Sequence, residues 1–438
     1  MLFELRTTIP EVSLPWRTVR DLLLSGKVRD ARFQSEELRR SIAVVSANDF
    51  LLQVELARAC GRHKRSLAWA RLAYRYHPDD LLTCLHYARS LLIRQMHGKG
   101  IALLESLEGT WGQTHRVEWS CMLADLLGDA GFETSSLEIL QSLEQDPVAN
   151  TDPLSLYHRS CAYEGLRRWP EAISLAEQCV ELAPGWLRAR GYLVHCLLTQ
   201  GRLEEARHHL AKGTSLGHED ATFDSTAAMF TFSEGRYDLA QPMLEGILAK
   251  WPDSDSVAWA RRTLCLLLVE SGRCQEARTL QVSSGSNLAF PPVTETAAAS
   301  RHRFIPLPFI AQNRNQCVPT CVAMAAHPQG DSFDPAQLFL EMEGRDGTAL
   351  WRMREWVESH GYRLVPVPLN ATVIREALDK TGIPLIGVIE GAFNSHVEIL
   401  CGFHDSLDVF YVRDPSHWAP SAVPSAMALG RYELHGAV

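Results

Sequence analysis

The sequence predicts a fold in two parts, an all-α array of two-helix repeats followed by a small α+β domain. Three observations carry this. A short phrase recurs at a near-constant interval through the first 283 residues. The helical pattern then gives way to a stretch of small residues with two adjacent prolines, Pro291 and Pro292. Beyond Phe304, short apolar runs alternate with amphipathic segments. At 438 residues the chain exceeds one compact domain.

The recurring phrase is a glycine, four residues, then a small residue. It reads GKVRDA at Gly26–Ala31, GRHKRS at Gly61–Ser66, GFETSS at Gly131–Ser136 and GRLEEA at Gly201–Ala206. It returns as GRYDLA at Gly235–Ala240 and GRCQEA at Gly272–Ala277, and copies without the glycine keep a small residue at Ala102 and Ala172. Successive small residues are spaced 35, 36, 34, 36, 34, 34 and 37 apart. Glycine permits a tight turn between two helices. The small residue lets the second helix approach the first. Pro78, Pro147, Pro184 and Pro252 follow at the point where that helix must end. The pattern resembles the tetratricopeptide repeat, a helix–turn–helix unit of ~34 residues. The resemblance covers most of residues 16–283 and implies a solenoid with a concave face for a protein partner. The array's histidines, among them His97, His208 and His209, read as solvated residues rather than ligands.

The domain limits expected are residues 1–283 for the repeats, 284–303 for a linker (small and polar residues around the prolines) and 304–438 for the second domain. In that domain FIPLPFIAQ reads as an extended leading segment, with a helix from Cys317. TALWRMREWVESHG and TVIREALDKTG read as further helices, LVPVPL and IPLIGVIE as strands, and SHVEILCGF with DVFYVRD as a strand pair.

Composition narrows the function. A net charge of -9 argues against nucleic-acid binding, which needs a basic surface. No run approaches the ~20 apolar residues that span a bilayer. The segment MLFELRTTIPEVSLPW carries Glu4 and no signal-peptide core. The eleven cysteines are scattered through apolar stretches, as expected of reduced thiols in a cytoplasmic protein. No Cys/His set has the spacing of a metal site, and no cofactor is expected.

Candidate chemistry lies in QNRNQCVPTCVAMAAH, residues 312–327. Pro319 favours a helix start at Cys317, where unpaired N–H groups and the helix dipole stabilise an anion. Cys321, one turn on and flanked by Val322, Ala323 and Met324, reads as core. A thiolate needs a base, and the base an orienting group. If HDSLD turns a hairpin near residues 405–406, His396 falls opposite or diagonal to Asp414 on one face, within side-chain reach. Glu398 shares that face and is a rival carboxylate. His404 and His417 read as loop residues.

The order FIPLPFIAQ…CVPTC…GIPLIGVIE…SHVEILCGF…VFYVRDPS resembles the papain-fold cysteine peptidases related to the bacteriocin double-glycine leader peptidases, over residues 304–416. The resemblance implies Cys317 as nucleophile, His396 as base and acid, Asp414 as orienting carboxylate and Gln312 as oxyanion donor, with Gln316 the alternative donor. It implies a protein or peptide substrate. The family places glycine after the nucleophile, where this chain has Val318, a residue that would crowd the oxyanion site. Two other readings therefore stand beside the peptidase: a catalytically inactive peptide-binding module on the repeat scaffold, and a papain-fold deamidase or acyltransferase.

Overall fold

The structure is a computed structural model. It describes residues 11–94, 96–109, 113–283, 300–313, 315–342, 347–390 and 395–432. The N-terminal segment up to residue 10 and residues 284–299 of the expected linker lie outside the described residues. The chain forms two compact units, one of Met1–Ala228 with Gly246–Val257 and one of Met229–Glu245 with Ala258–Val438, so the division falls inside the repeat array.

After a short 3-10 turn at Leu14–Trp16, the array pairs α1 (Arg17–Leu24) with α2 (Val28–Leu38), α3 (Ala47–Ala59) with α4 (His63–Tyr76) and α5 (Leu81–Ile93) with α6 (His97–Ser106). Next come α7 (Gln113–Ala130) with α8 (Glu133–Glu144), a short α9 (Pro147–Thr151), and α10 (Pro153–Gly165) with α11 (Trp169–Leu182). The series closes with α12 (Leu187–Thr199) and α13 (Leu203–Ser215), α14 (Ala221–Ser233) and α15 (Tyr237–Lys250), α16 (Val257–Glu270) and α17 (Cys274–Ser283).

The small residue of the phrase sits at the fourth position of each second helix, where its Cα meets the preceding helix. Ala31, Ser66, Ser136, Ala172, Ala206, Ala240 and Ala277 are all buried there. The third copy corrects the sequence reading. Ala102 is exposed, and the buried fourth position of α6 is Gly100, whose missing Cβ would fall 2.8 Å from Leu126. The six phrase glycines have positive φ, from 67° to 97°. In the copy ending at Ala172 the same position is Arg167, which takes φ 59°. Pro78, Pro184 and Pro252 lie just past the ends of α4, α11 and α15, whereas Pro147 opens α9 behind the cap Asp146.

The first helices of the repeats are more deeply enclosed than an open groove would leave them. Within the first unit, Asp49–Ala57 and Ala59 of α3 are buried. Ser35 of α2 hydrogen-bonds Gln53 at 2.9 Å, Trp69 and Tyr76 of α4 pack on Phe50, and Arg188 of α12 pairs with Glu55 at 3.0 Å. α3 is thus enclosed by side chains of α2, α4 and α12. His208 is exposed as expected, but His209 is half-buried with Nδ1 3.2 Å from Arg190, and His97 lies 3.3 Å from Asp129.

The α+β part begins at β1 (His302–Phe304), so the last two residues assigned to the linker are strand. It continues through α18 (Cys317–Ala326), α19 (Pro335–Glu341), α20 (Leu350–Ser359), α21 (Ala371–Thr381), β2 (Leu385–Glu390), β3 (Ser395–His404), β4 (Val409–Arg413), β5 (Ser421–Pro424) and α22 (Ser425–Arg431). The sheet is antiparallel. β3 pairs with β1, β2 and β4, and β4 with β5. LVPVPL is not a strand. Only Val367 makes a bridge, because Pro366 and Pro368 carry no N–H for a ladder. α19, β5 and α22 were not anticipated. α18 packs on β3 over a core that includes Cys321, Met324, Ile399 and Phe403.

Candidate active site

The chain turns into α18 through Asn315, at φ 60°, with Gln316 N–H donating to Asn313 O at 3.2 Å. Cys317 is the first helical residue and is half-buried, and no side chain caps this end. The amides of the first turn are thus aimed past the helix end beside Cys317. Cys321 is fully buried, its Sγ 3.4 Å from Val397 O, and burial pushes its thiol well up. Val318 is 4% exposed and packs into the domain core, so the expected crowding does not arise from its side chain. All eleven cysteines are free.

His396 lies on β3, and Asp414 follows the last residue of β4. Ile399 pairs with Arg413 and Leu400 with Val412, before a bulge shifts the register between Leu400 and Gly402. Continued past Arg413, this register sets Asp414 level with Glu398 and one diagonal step from His396. His396 Nε2 lies 2.8 Å from Asp414 Oδ1, and the Cys317 thiol lies close enough to act on the same imidazole. Burial works against a charged ring here. The hydrogen bonds and negative charge of Asp414 and Cys317 outweigh it and hold His396 up to about 10. Burial likewise opposes the Asp414 carboxylate, but His396 and the Ser416 N–H (2.7 Å) keep it below its ordinary value.

Gln312 approaches the same turn. Its N–H donates to Pro415 O at 3.2 Å, and its side-chain Nε2 donates to Ser416 Oγ at 2.8 Å. Among the described residues, the oxygens Gln312 Oε1 and Gln316 Oε1 and the hydroxyl of Thr320 are buried without hydrogen-bond partners. The structure therefore brings His396 onto Asp414 with Cys317 near the same ring, and places Gln312 beside the turn that follows Asp414. Sequence reading missed Ser416. The available signal was Asp414-Pro415-Ser416 itself, since an Asp side chain readily accepts from the N–H two residues on. The rival Glu398 is used elsewhere. It is buried, bonded to Tyr432 Oη and paired with Arg431 at 3.4 Å, and Gly387 leaves the room that Tyr432 occupies. His417 lies in an exposed turn, but His404 is the buried last residue of β3 rather than a loop residue.

An apolar cavity of about 360 Å³ flanks α18 beyond the triad, lined by Val322 and Ala326 with Trp356, Leu364, Ile383 and Leu385. Among the described residues no group of His, Cys, Asp or Glu is arranged to hold a metal ion, and no helix is long and apolar enough to cross a membrane.

Comparison with known proteins bears on the array. The family model described as tetratricopeptide repeat matches residues 165–229. The N-terminal array is a tetratricopeptide-type solenoid. Among solved structures, the chain is similar to YrrB, described as a TPR protein with an unusual peptide-binding site, at 18% identity over 42% of this chain and 93% of that one, TM-score 0.27. It is similar to a tetratricopeptide repeat protein from Parabacteroides merdae at 16% identity over 55% and 92%, TM-score 0.34. The APC/C Cut9–Hcn1 hetero-tetramer aligns at 17% identity over 60% and 51%, TM-score 0.34. No curated protein matches the chain.

Proposed function

We propose that residues 304–432 form a thiol-dependent amide hydrolase, a papain-like cysteine peptidase, whose repeat array recruits a protein substrate or adaptor. The observation that carries this reading is the 2.8 Å bond between His396 Nε2 and Asp414 Oδ1, with the Cys317 thiol at a helix start close enough to act on the same imidazole. The thiolate of Cys317 attacks a peptide carbonyl carbon, and the carbonyl electron pair moves to oxygen. Collapse expels the amine, which takes the proton from His396. A water deprotonated by neutral His396 then attacks the thioester, releasing the acid and returning the proton to the Cys317–His396 pair. Gln312 Nε2 holds a second hydrogen beyond the one given to Ser416, and the first-turn amide of Cys317 is a further donor to the oxyanion. The cavity beside α18 would take apolar substrate side chains.

A second reading is favoured by the bond from Gln312 to Ser416, which occupies part of the expected oxyanion donor. It makes the domain a peptide-binding module with a reactive but non-acylating thiol. Two probes separate the readings. Iodoacetamide alkylates a thiolate without an oxyanion, whereas p-nitrophenyl acetate acylates through one. The peptidase reading expects both to modify Cys317 stoichiometrically, with Cys321 untouched, as mapped by peptide mass spectrometry. Alkylation without acylation selects the binding module, and no preference for Cys317 over Cys321 removes the enzyme reading. Mass spectrometry of partners trapped by Cys317→Ala then distinguishes peptide cleavage from deamidation or acyl transfer.

A further inference from the structure

The phrase glycines of the array share one backbone conformation but not one environment. At Gly201, Gly235 and Gly272 an added Cβ would meet nothing within 4 Å. At Gly61 it would fall 2.5 Å from Ser254 Oγ and 3.0 Å from Ala221, and at Gly26 3.0 Å from the His218 ring. Gly26 and Gly61 therefore do a second job. Each sits in the turn inside an early repeat and docks on a turn between two late ones, with both partners in the first compact unit.

The contacts at this seam run through backbone and charge. Glu219 N–H donates to Gly26 O at 3.1 Å, and Asp255 N–H to Gly61 O at 2.9 Å. Arg29 N–H and Lys64 N–H donate to the carboxylates of Glu219 (3.0 Å) and Asp255 (3.2 Å). Arg29 pairs with Glu219, while Arg32, at 3.0 Å, and Arg62 both pair with Asp253. One side is basic and the other acidic. Behind the seam lies α3, buried and tied to α12 by the Glu55–Arg188 pair.

We infer that this seam is a latch, an intramolecular contact that keeps the array's inner helices closed and parts without unfolding the repeats. Exposed ion pairs contribute little and are screened by salt, whereas each repeat is held by its own apolar packing. Opening thus parts the exposed pairs and the Glu55–Arg188 link while the repeats stay folded, and it uncovers the face by which repeats of this type engage partners. The inference rests on the array's recruiting role and is independent of the chemistry at Cys317.

Hydrogen exchange of the full chain tests it, read on the amides of residues 47–59. Gly61→Ala and Arg29→Glu are expected to speed exchange of α3 at least ~10-fold, and the charge swap Arg29→Glu with Glu219→Arg to restore it. Gly201→Ala, which strains the same φ without touching the seam, should leave α3 unchanged. Raising salt from 0.05 M to 1 M on the native chain should speed α3 in the same way and supplies the answer if a glycine variant does not fold. Protection of α3 that ignores the seam variants and salt, or that falls equally in Gly201→Ala, overturns the latch. Iodoacetamide labelling of Cys317 is read in parallel, so failure of the latch and failure of the peptidase reading appear separately.

Discussion

His86 in the array and His396 in the sheet are both enclosed by protein, and they settle into opposite charge states. Around His86, burial and the charges of Arg58, Arg89 and Arg188 push the imidazole down to about 3 despite Glu55. His158 nearby is held well below its ordinary value by burial and the same kind of arginine field. His396 also pays desolvation, but its neighbours are an aspartate and a thiol, and it is held up to about 10. The residue type and the enclosure are shared, and the sign of the neighbouring charge decides whether the enclosed imidazole favours its neutral or its protonated form. The cysteines divide similarly. Burial pushes Cys60 up to about 12 and Cys84 to about 11, whereas Cys317 stands half-buried at a helix start beside an imidazole.

The contrast breaks most visibly if the charge partners of His396 are removed. His396→Ala and Asp414→Asn are each expected to slow acylation of Cys317 by about 10³–10⁴-fold, measured by the p-nitrophenolate burst. An equal loss in Glu398→Gln would show that the acid had been assigned to the wrong carboxylate.

In the array the corresponding change should cost stability instead. Glu55 is buried and kept ionised below its ordinary value. Burial is the largest influence and opposes the charge, but Arg58 and Arg188 outweigh it. Glu55→Ala leaves those arginines without their central acid and is expected to destabilise the fold by about 3–5 kcal/mol, read by thermal or urea unfolding. Iodoacetamide labelling of Cys317 should be unaffected.

The two histidines should also give opposite pH dependences. His396 is raised, so its contribution is fully present below the ordinary imidazole value near 6.5 and is lost as pH rises through about 10. His86 is depressed, so its contribution is present above about 6.5 and is lost as pH falls toward 3. Melting followed across pH should accordingly lose its alkaline slope in Asp414→Asn and part of its acid slope in His86→Leu. The smallest effect is expected at Thr320, whose buried hydroxyl has no partner. Thr320→Val should change stability by less than about 1 kcal/mol, because no hydrogen bond is lost.

How much of this was legible follows from the range of each interaction. The turn glycines and the buried fourth helical position are local, so their period could be read directly. The slip from Ala102 to Gly100 was not visible, since either small residue satisfies the spacing and only contact with Leu126 chooses between them. His396 and Asp414 could be paired because a hairpin fixes its register from its turn. The bulge at Cys401, the Ser416 anchor and the diversion of Glu398 to Tyr432 depend on residues that meet only after the sheet is packed. Pro366 and Pro368 are a local signal against a strand, since neither carries an N–H for a ladder.

By itself the sequence determined where helices turn, which side chains they bury, and that a thiol, an imidazole and a carboxylate arrive in workable order. Those features rest on φ preferences, helical periodicity and strand alternation, all set within a few residues. Tertiary structure alone decided that early turns of the array dock on late ones, and which carboxylate the imidazole meets. Both depend on small rotations accumulated over many residues and on which side chain fills a shared space first.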